Sequence, residues 1–205
     1  MIRKYYLSEW LFFRKKLLAI FVILSLLSIS MPFLYYDYYI DHPDRAQIMA
    51  NYRKTLHTGS LYTVNKFTLI VRLFWNNLIV TLRSTISGFV PFLFLSGLTI
   101  LGLSIETGIV LSYNELFLKL DTFSLLMTMV PHGIFEFPAI IYASSLGIYL
   151  TIQTSKMIIP KFRSKTSSLQ TLCEQAARSF ILIVIPLLVI AAFVEVLVTP
   201  RLFPR

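Results

Sequence analysis

The chain has 205 residues, of which 56% are hydrophobic and only 14% are charged. A soluble domain of this size carries about a quarter charged residues, so the composition excludes an ordinary soluble globule. The net charge of +9 is typical of basic residues that flank membrane spans and face anionic lipid, and we expect no nucleic-acid partner. The single cysteine, Cys173, excludes an intrachain disulfide.

Residues 1–16 predict a helix that lies at the membrane surface. Five basic side chains alternate there with aromatic ones, and Glu9 is the one acidic residue. This pattern is typical of an interfacial amphipathic helix whose bases sit among lipid headgroups. The apolar run that follows has no small-residue cleavage site, so we expect a retained span and not a cleaved signal peptide.

Apolar runs predict the membrane spans, because crossing the hydrocarbon core takes about 20 apolar residues. Four runs of that kind are evident. The segment at 156–178 is basic like the N-terminal segment, and both should lie on the cytoplasmic side, which requires an even number of crossings between them. Residues 67–83, apolar except for Arg72 and an Asn pair, supply the missing crossing. The predicted spans are 17–36, 67–83, 84–105, 134–155 and 179–199.

We therefore predict an all-α, polytopic membrane helix bundle of about five spans, formed by residues 1–205 as a single domain. The N-terminus is expected on the cytoplasmic side of a bacterial cell membrane, and residues 37–66 outside.

Polar groups inside spans each need a physical reason, because they cost free energy in hydrocarbon. Asn76 and Asn77 are typical of amides that hydrogen-bond between helices, and a substrate contact is the alternative. Glu195 lies near a span end, where its carboxylate reaches the interface or pairs inside the bundle with Arg72, Arg83 or His132.

The segment from Pro131 to Ala139 contains the most unusual pattern. Pro131 and Gly133 predict a helix break, and a helix would place His132 and Glu136 on one face. These two residues fit a structural role, a proton or ion relay, or a catalytic or metal pair. A metal site needs three or four ligands, and the other histidines lie in the external segment without ligand spacing. We therefore expect no metal, cofactor or catalytic residue.

The polar side chains in the spans are expected to converge in the bundle interior around this break, because separate placements facing lipid would be too costly. They would form either a polar lock of the fold or the floor of a substrate cavity. The candidate residues are Asn76, Asn77, His132, Glu136 and Glu195.

Three blocks of sequence resemble the stage II sporulation protein M family of bacterial membrane proteins. They are FWNNL at 74–78, VPHGIFEFPAI at 130–140 and IPLLVIAAFVEVLVTP at 185–200. The middle block resembles the Pro-His-Gly-x-x-Glu-x-Pro-Ala signature of the broader branch of that family. Members of the family usually also have a glycine-rich block that ends in Asn-Gly. The chain departs from the family there, because its glycines are sparse and Asn114 is followed by Glu115.

This resemblance implies a non-enzymatic membrane subunit of a bacterial envelope complex. Its expected partners are the bilayer and other membrane proteins, and the resemblance is compatible with a homo-oligomer. One branch of the family belongs to a peptidoglycan-remodelling complex, and another accompanies circular bacteriocins beside an ABC ATPase. A transport-associated subunit is the leading expectation, and the absence of a Walker motif assigns ATP hydrolysis to another chain. The alternatives are a scaffold for peptidoglycan-remodelling enzymes and an intramembrane enzyme that uses His132 and Glu136.

Overall fold

The computed structural model describes residues 2–45, 47, 65–119, 121–163 and 168–202, and these contain helices but no strand. Two helices are joined to their successors by single π-helical turns, at Phe13–Leu17 and Phe180–Val184. The α-helices are α1 (Ile2–Phe12), α2 (Leu18–Ile40), α3 (Lys66–Ser87), α4 (Ser96–Leu118), α5 (Thr122–Ile158), α6 (Pro160–Arg163), α7 (Leu169–Ser179), α8 (Ile185–Leu197) and α9 (Thr199–Leu202).

Within the described ranges, four helices are long and apolar enough to cross a membrane. The helix α3 is similar in length but more polar. The four are Tyr5–Ile40, Ser96–Phe117, Met129–Ile158 and Leu169–Leu197. The 22 residues of α3 span about 33 Å, which is enough to cross the hydrocarbon core. The predicted all-α membrane bundle of about five spans is confirmed.

The first four long helices pack as two parallel pairs. Helices α2 and α4 are parallel, because Leu24 packs with Ile100 near their beginnings and the Tyr36 hydroxyl donates to Glu115 near their ends, at 2.6 Å. Helices α3 and α5 are also parallel. Asn77 interacts with Glu136, and eleven residues later on both helices Gly88 abuts Gly147.

Small residues allow α3 and α5 to approach closely at one end of the bundle. The Ser84 and Ser144 hydroxyls lie 3.0 Å apart, and the Thr85 hydroxyl donates to the Ala143 carbonyl at 3.3 Å. A Cβ on Gly147 would overlap the Ser84 carbonyl, so only glycine fits there. Small residues take this role in membrane bundles because tight backbone contact replaces the hydrophobic driving force.

The last long helix runs antiparallel to α5 and closes the bundle. Glu195, near the end of α8, lies beside His132 and Glu136 of α5. At the opposite end, Ser179 contacts Glu9 of α1, whose neighbour Phe12 packs edge-on against Tyr149 with ring centres 5.3 Å apart. The N-terminal segment and the start of the last span therefore share one end of the bundle, as the charge pattern predicted. Which side of the membrane that end faces stays a prediction.

The predicted boundary between spans 67–83 and 84–105 is wrong. The helix α3 continues to Ser87, the chain reverses over residues 88–95, and α4 runs from Ser96 to Leu118. The span formed by α4 therefore includes Glu106 and Glu115, which lie beyond the uncharged run at 84–105. Glu115 is accommodated there because it accepts a hydrogen bond from Tyr36 within the bundle.

The predicted helix break at Pro131-His132-Gly133 is also wrong. Helix α5 continues through Pro131 and Pro138 for 37 residues. A proline removes only one helical hydrogen bond, and a membrane bundle can satisfy the released carbonyl through neighbouring groups. The predicted span 179–199 also differs in its bounds, because the helix that overlaps it starts at Leu169 and ends at Leu197.

Residues 1–16 are helical as predicted from Ile2 onwards, and they continue through the π-helical turn into α2. The helix from Tyr5 to Ile40 is about 54 Å long, which exceeds a hydrocarbon core of about 30 Å. Part of it must therefore extend beyond the core, and the interfacial position of 1–16 stays a prediction. The predicted external segment 37–66 lies largely outside the described residues, and so does His57.

Candidate functional site

Three of the predicted polar residues meet between α5 and α8. His132 and Glu136 lie on one face of α5, one turn apart, and Glu195 reaches them from the antiparallel α8. One ring nitrogen of His132 and one carboxylate oxygen from each Glu all lie within 4.8 Å of one another. We call His132, Glu136 and Glu195 the histidine cluster. All three side chains are half-buried.

The amide of Asn77 adds a fourth predicted residue to this region. Its side chain hydrogen-bonds the carboxyl of Glu136 from the parallel helix α3. Asn76 points differently: it is exposed, and it lines the same cleft as Asn77 and Glu136. The structure therefore brings four of the five predicted residues together and places the fifth beside them.

This cleft has a volume of about 420 Å³ and opens between α3, α4 and α5. Its walls combine apolar side chains with amides and with charges of both signs. Polar side chains at this depth are tolerated where they line a cavity and do not face lipid. The lining residues are Asn76, Asn77, Val80, Arg83, Leu98, Thr99, Gly102, Leu103, Glu106, Glu136 and Ile140.

The chemistry of the histidine cluster is that of proton or cation binding. An imidazole and two carboxylates are groups that exchange protons or hold divalent metals. The Nδ1 atom of His132 is buried and, among the described residues, lacks a hydrogen-bond partner. Buried polar atoms normally have a partner, so this nitrogen requires an explanation, of which a bound ion or water is one.

A second polar cluster was missed by the sequence reasoning. Glu9 of α1 is completely buried and pairs with the guanidinium of Arg178. Its two carboxylate oxygens also accept hydrogen bonds from Ser179 at 2.6 Å and from Gln175 at 3.2 Å. We call Glu9, Gln175, Arg178 and Ser179 the N-terminal cluster.

The sequence contains only a weak signal for the contact between Glu9 and Arg178. Glu9 is the one acid in a strongly basic segment, and Arg178 directly precedes an apolar run. Neither observation names a partner, because the two residues are 169 positions apart in the chain. Their contact appears only when the N-terminal helix and the last span are packed together.

Comparison with known families agrees with the resemblance drawn from the three sequence blocks. The sequence model of the family described as Stage II sporulation protein M matches residues 16–200. No curated protein and no solved structure shows a significant match to the chain. The match includes all five candidate residues and most of the described helices, and the chain belongs to the stage II sporulation protein M family.

Proposed function

We propose that this family member is a non-enzymatic, transport-associated subunit of a bacterial envelope complex and works beside a separate ABC ATPase. Its cargo would be a peptide such as a bacteriocin, in export, maturation or self-protection. Membership of the family and the apolar helices give a multi-pass membrane protein. The observation that carries the transport role is the polar cleft among the spans.

The dimensions and charges of the cleft suit part of a peptide. Binding pockets for small ligands measure about 300–1,000 Å³, and this cleft is at the lower end of that range at about 420 Å³. It offers two amides, a guanidinium and carboxylates, which together can bind peptide groups and side chains of either charge. A cleft of this volume would hold a short stretch of a peptide rather than a whole one.

The other end of the bundle supplies a surface suited to a cytoplasmic partner. Arg14, Lys15 and Lys16 are exposed, and the N-terminal cluster holds their helix against α7. Lys161 is exposed on the segment that leads from α5 to α7. An acidic face of an ATPase would complement this concentration of positive charge.

Purification in a mild detergent with identification of the bound proteins tests the proposal. We expect recovery of a protein with a Walker motif, and a rise in its ATPase rate when this chain is added. Lys15→Glu together with Lys16→Glu should weaken that recovery at least tenfold. Lys66→Glu, an exposed charge reversal at the other end of the bundle, is the matched control.

Other outcomes would contradict the proposal in distinguishable ways. Recovery of peptidoglycan hydrolases without an ATPase would support the scaffold. Hydrolytic activity in the purified chain that disappears in His132→Asn would support an intramembrane enzyme. Binding of the ATPase that is equal in the Lys15/Lys16 and Lys66 variants would remove the basic surface from the explanation.

A further inference from the structure

We infer that the histidine cluster is a binding site for one divalent transition-metal cation, with His132, Glu136 and Glu195 as its protein ligands. The sequence offered only two of these residues at a recognisable spacing. The structure supplies the third from α8, which runs antiparallel to α5 and places Glu195 opposite the His132-Glu136 face.

The geometry of the three donors supports this assignment. His132 and Glu136 are four residues apart on a helix, the same spacing at which helical zinc sites present two ligands. All three donor atoms lie within 4.8 Å of one another. Donors around a tetrahedral zinc ion are about 3.3 Å apart, so movements of about 1–2 Å through side-chain torsions would close the site.

The buried ring nitrogen of His132 is an independent observation that points to a ligand. Its Nδ1 atom has no hydrogen-bond partner among the described residues, although it is inaccessible to solvent. The nitrogens of a metal-bound histidine have defined partners, one of them the metal and the other an outer hydrogen-bond acceptor. Binding of a cation to the imidazole would give this ring a partner that the described residues do not provide.

The charges and surroundings of the cluster also favour a cation. Two ionised carboxylates and a neutral imidazole carry a charge of about −2, which one divalent cation would neutralise inside the bundle. Asn77 hydrogen-bonds the Glu136 carboxyl, the kind of outer contact that orients a ligating carboxylate.

The cleft gives the site an access route. Glu136 belongs both to the cluster and to the lining of the cleft, so a cation held there is reached from the space between α3, α4 and α5. Three protein ligands leave a coordination position open for water or for a carbonyl or carboxylate of a bound molecule.

Metal content of the full chain tests this inference. The protein is purified in detergent, stripped with a chelator, dialysed against Zn²⁺ alone and analysed by mass spectrometry for bound metal. We expect about one Zn²⁺ per chain. Glu195→Gln, Glu136→Gln and His132→Asn should each weaken Zn²⁺ binding at least tenfold, because each removes one of three ligands. Glu174→Gln, an exposed carboxylate on α7, is the matched control and should bind as the unaltered chain does.

The variants must be folded for the comparison to count, so each is checked by size-exclusion elution and thermal unfolding. Absence of stoichiometric Zn²⁺ in the unaltered chain would overturn the inference, and so would equal binding by all folded variants. Because the readout is metal content, this result is independent of whether an ATPase partner is found.

Discussion

The histidine cluster and the N-terminal cluster are both polar groups packed among apolar helices, but their physical states differ. Glu9 is completely buried, faces the positive charge of Arg178 and accepts hydrogen bonds at both carboxylate oxygens. The histidine cluster brings two carboxylates together, is half-buried and leaves a ring nitrogen that has no partner in the described part of the chain. A satisfied buried network stabilises a fold, whereas incompletely satisfied groups concentrate at functional sites. On this difference we propose a structural role for the N-terminal cluster at one end of the bundle and a binding role for the histidine cluster at the other.

The largest effect on stability is expected from Glu9→Gln. The substitution removes the charge that Arg178 faces and replaces one acceptor oxygen with a donor. We expect a loss of about 2–4 kcal/mol in the free energy of unfolding, since Glu9 is fully buried. Unfolding by SDS in mixed micelles, followed by fluorescence, measures it. Arg178→Gln should also destabilise the fold, because it leaves the fully buried Glu9 carboxylate without a facing positive charge. Equal stability of Glu9→Gln and the unaltered chain would contradict the lock.

The next largest effect on stability is expected at the glycine contact between α3 and α5, because the packing of both clusters depends on the position of α5. Gly147→Ala places a methyl group against the Ser84 carbonyl and the Ser96 hydroxyl. We expect a cost of about 1–3 kcal/mol in the free energy of unfolding, typical of overpacking.

A matched glycine elsewhere separates packing from helix propensity. A Cβ at Gly102 of α4 would meet nothing within 4 Å. Gly102→Ala should therefore be neutral or stabilising by up to about 1 kcal/mol, because alanine is the better helix former. If the two alanine variants unfold alike, the close approach of α3 and α5 is not a source of stability.

A small effect on stability and a large effect on function are expected from Glu136→Gln. The variant keeps the shape and the amide contact with Asn77 and removes one carboxylate of a like-charged pair. We expect a change below about 1 kcal/mol in the free energy of unfolding, since relief of repulsion offsets lost contacts. Export of the cargo, measured in cells, should fall at least tenfold. Loss of the folded protein in this variant would show that the histidine cluster is a structural lock as well.

The last prediction concerns the side of the membrane on which the N-terminal cluster lies, and it involves no change in stability. Cys173 is exposed on α7, within two residues of Gln175. If this end is cytoplasmic, an impermeant thiol reagent should label Cys173 in inverted vesicles and leave it unlabelled in intact cells. Labelling in intact cells would place the N-terminal cluster outside.

The sequence predicts the helical class and roughly how many long helices form the bundle, because hydropathy and charge act over whole segments. It fails where a boundary depends on a few residues. The uncharged stretch at 84–105 has the length of a span, although Gly88 and Pro91 lie within it and supply a turn signal. The opposite error, too much weight on a local signal, led to the wrong break at Pro131, where the surrounding bundle keeps the helix intact.

The candidate site was also predicted only in part, because its contacts join residues that are distant in the sequence. Polar residues within spans are expected to converge because each costs free energy in hydrocarbon, and Asn77, His132, Glu136 and Glu195 do so. This cost does not determine which residues become neighbours across helices. The contacts of Glu195 with α5 and of Glu9 with α7 depend on the packing of distant segments, and no local spacing encodes either of them.

The contact between Glu9 and the last span also imposes an order on biosynthesis. The carboxylate emerges from the ribosome early, and Arg178 is made 169 residues later. At about 5–20 residues per second, this interval lasts roughly 10–30 seconds. During that time the first helix has no access to the side chains that will enclose it, so Glu9 must stay hydrated at the membrane surface. Arrival of α7 then buries it, so a segment translated late completes the environment of one translated early.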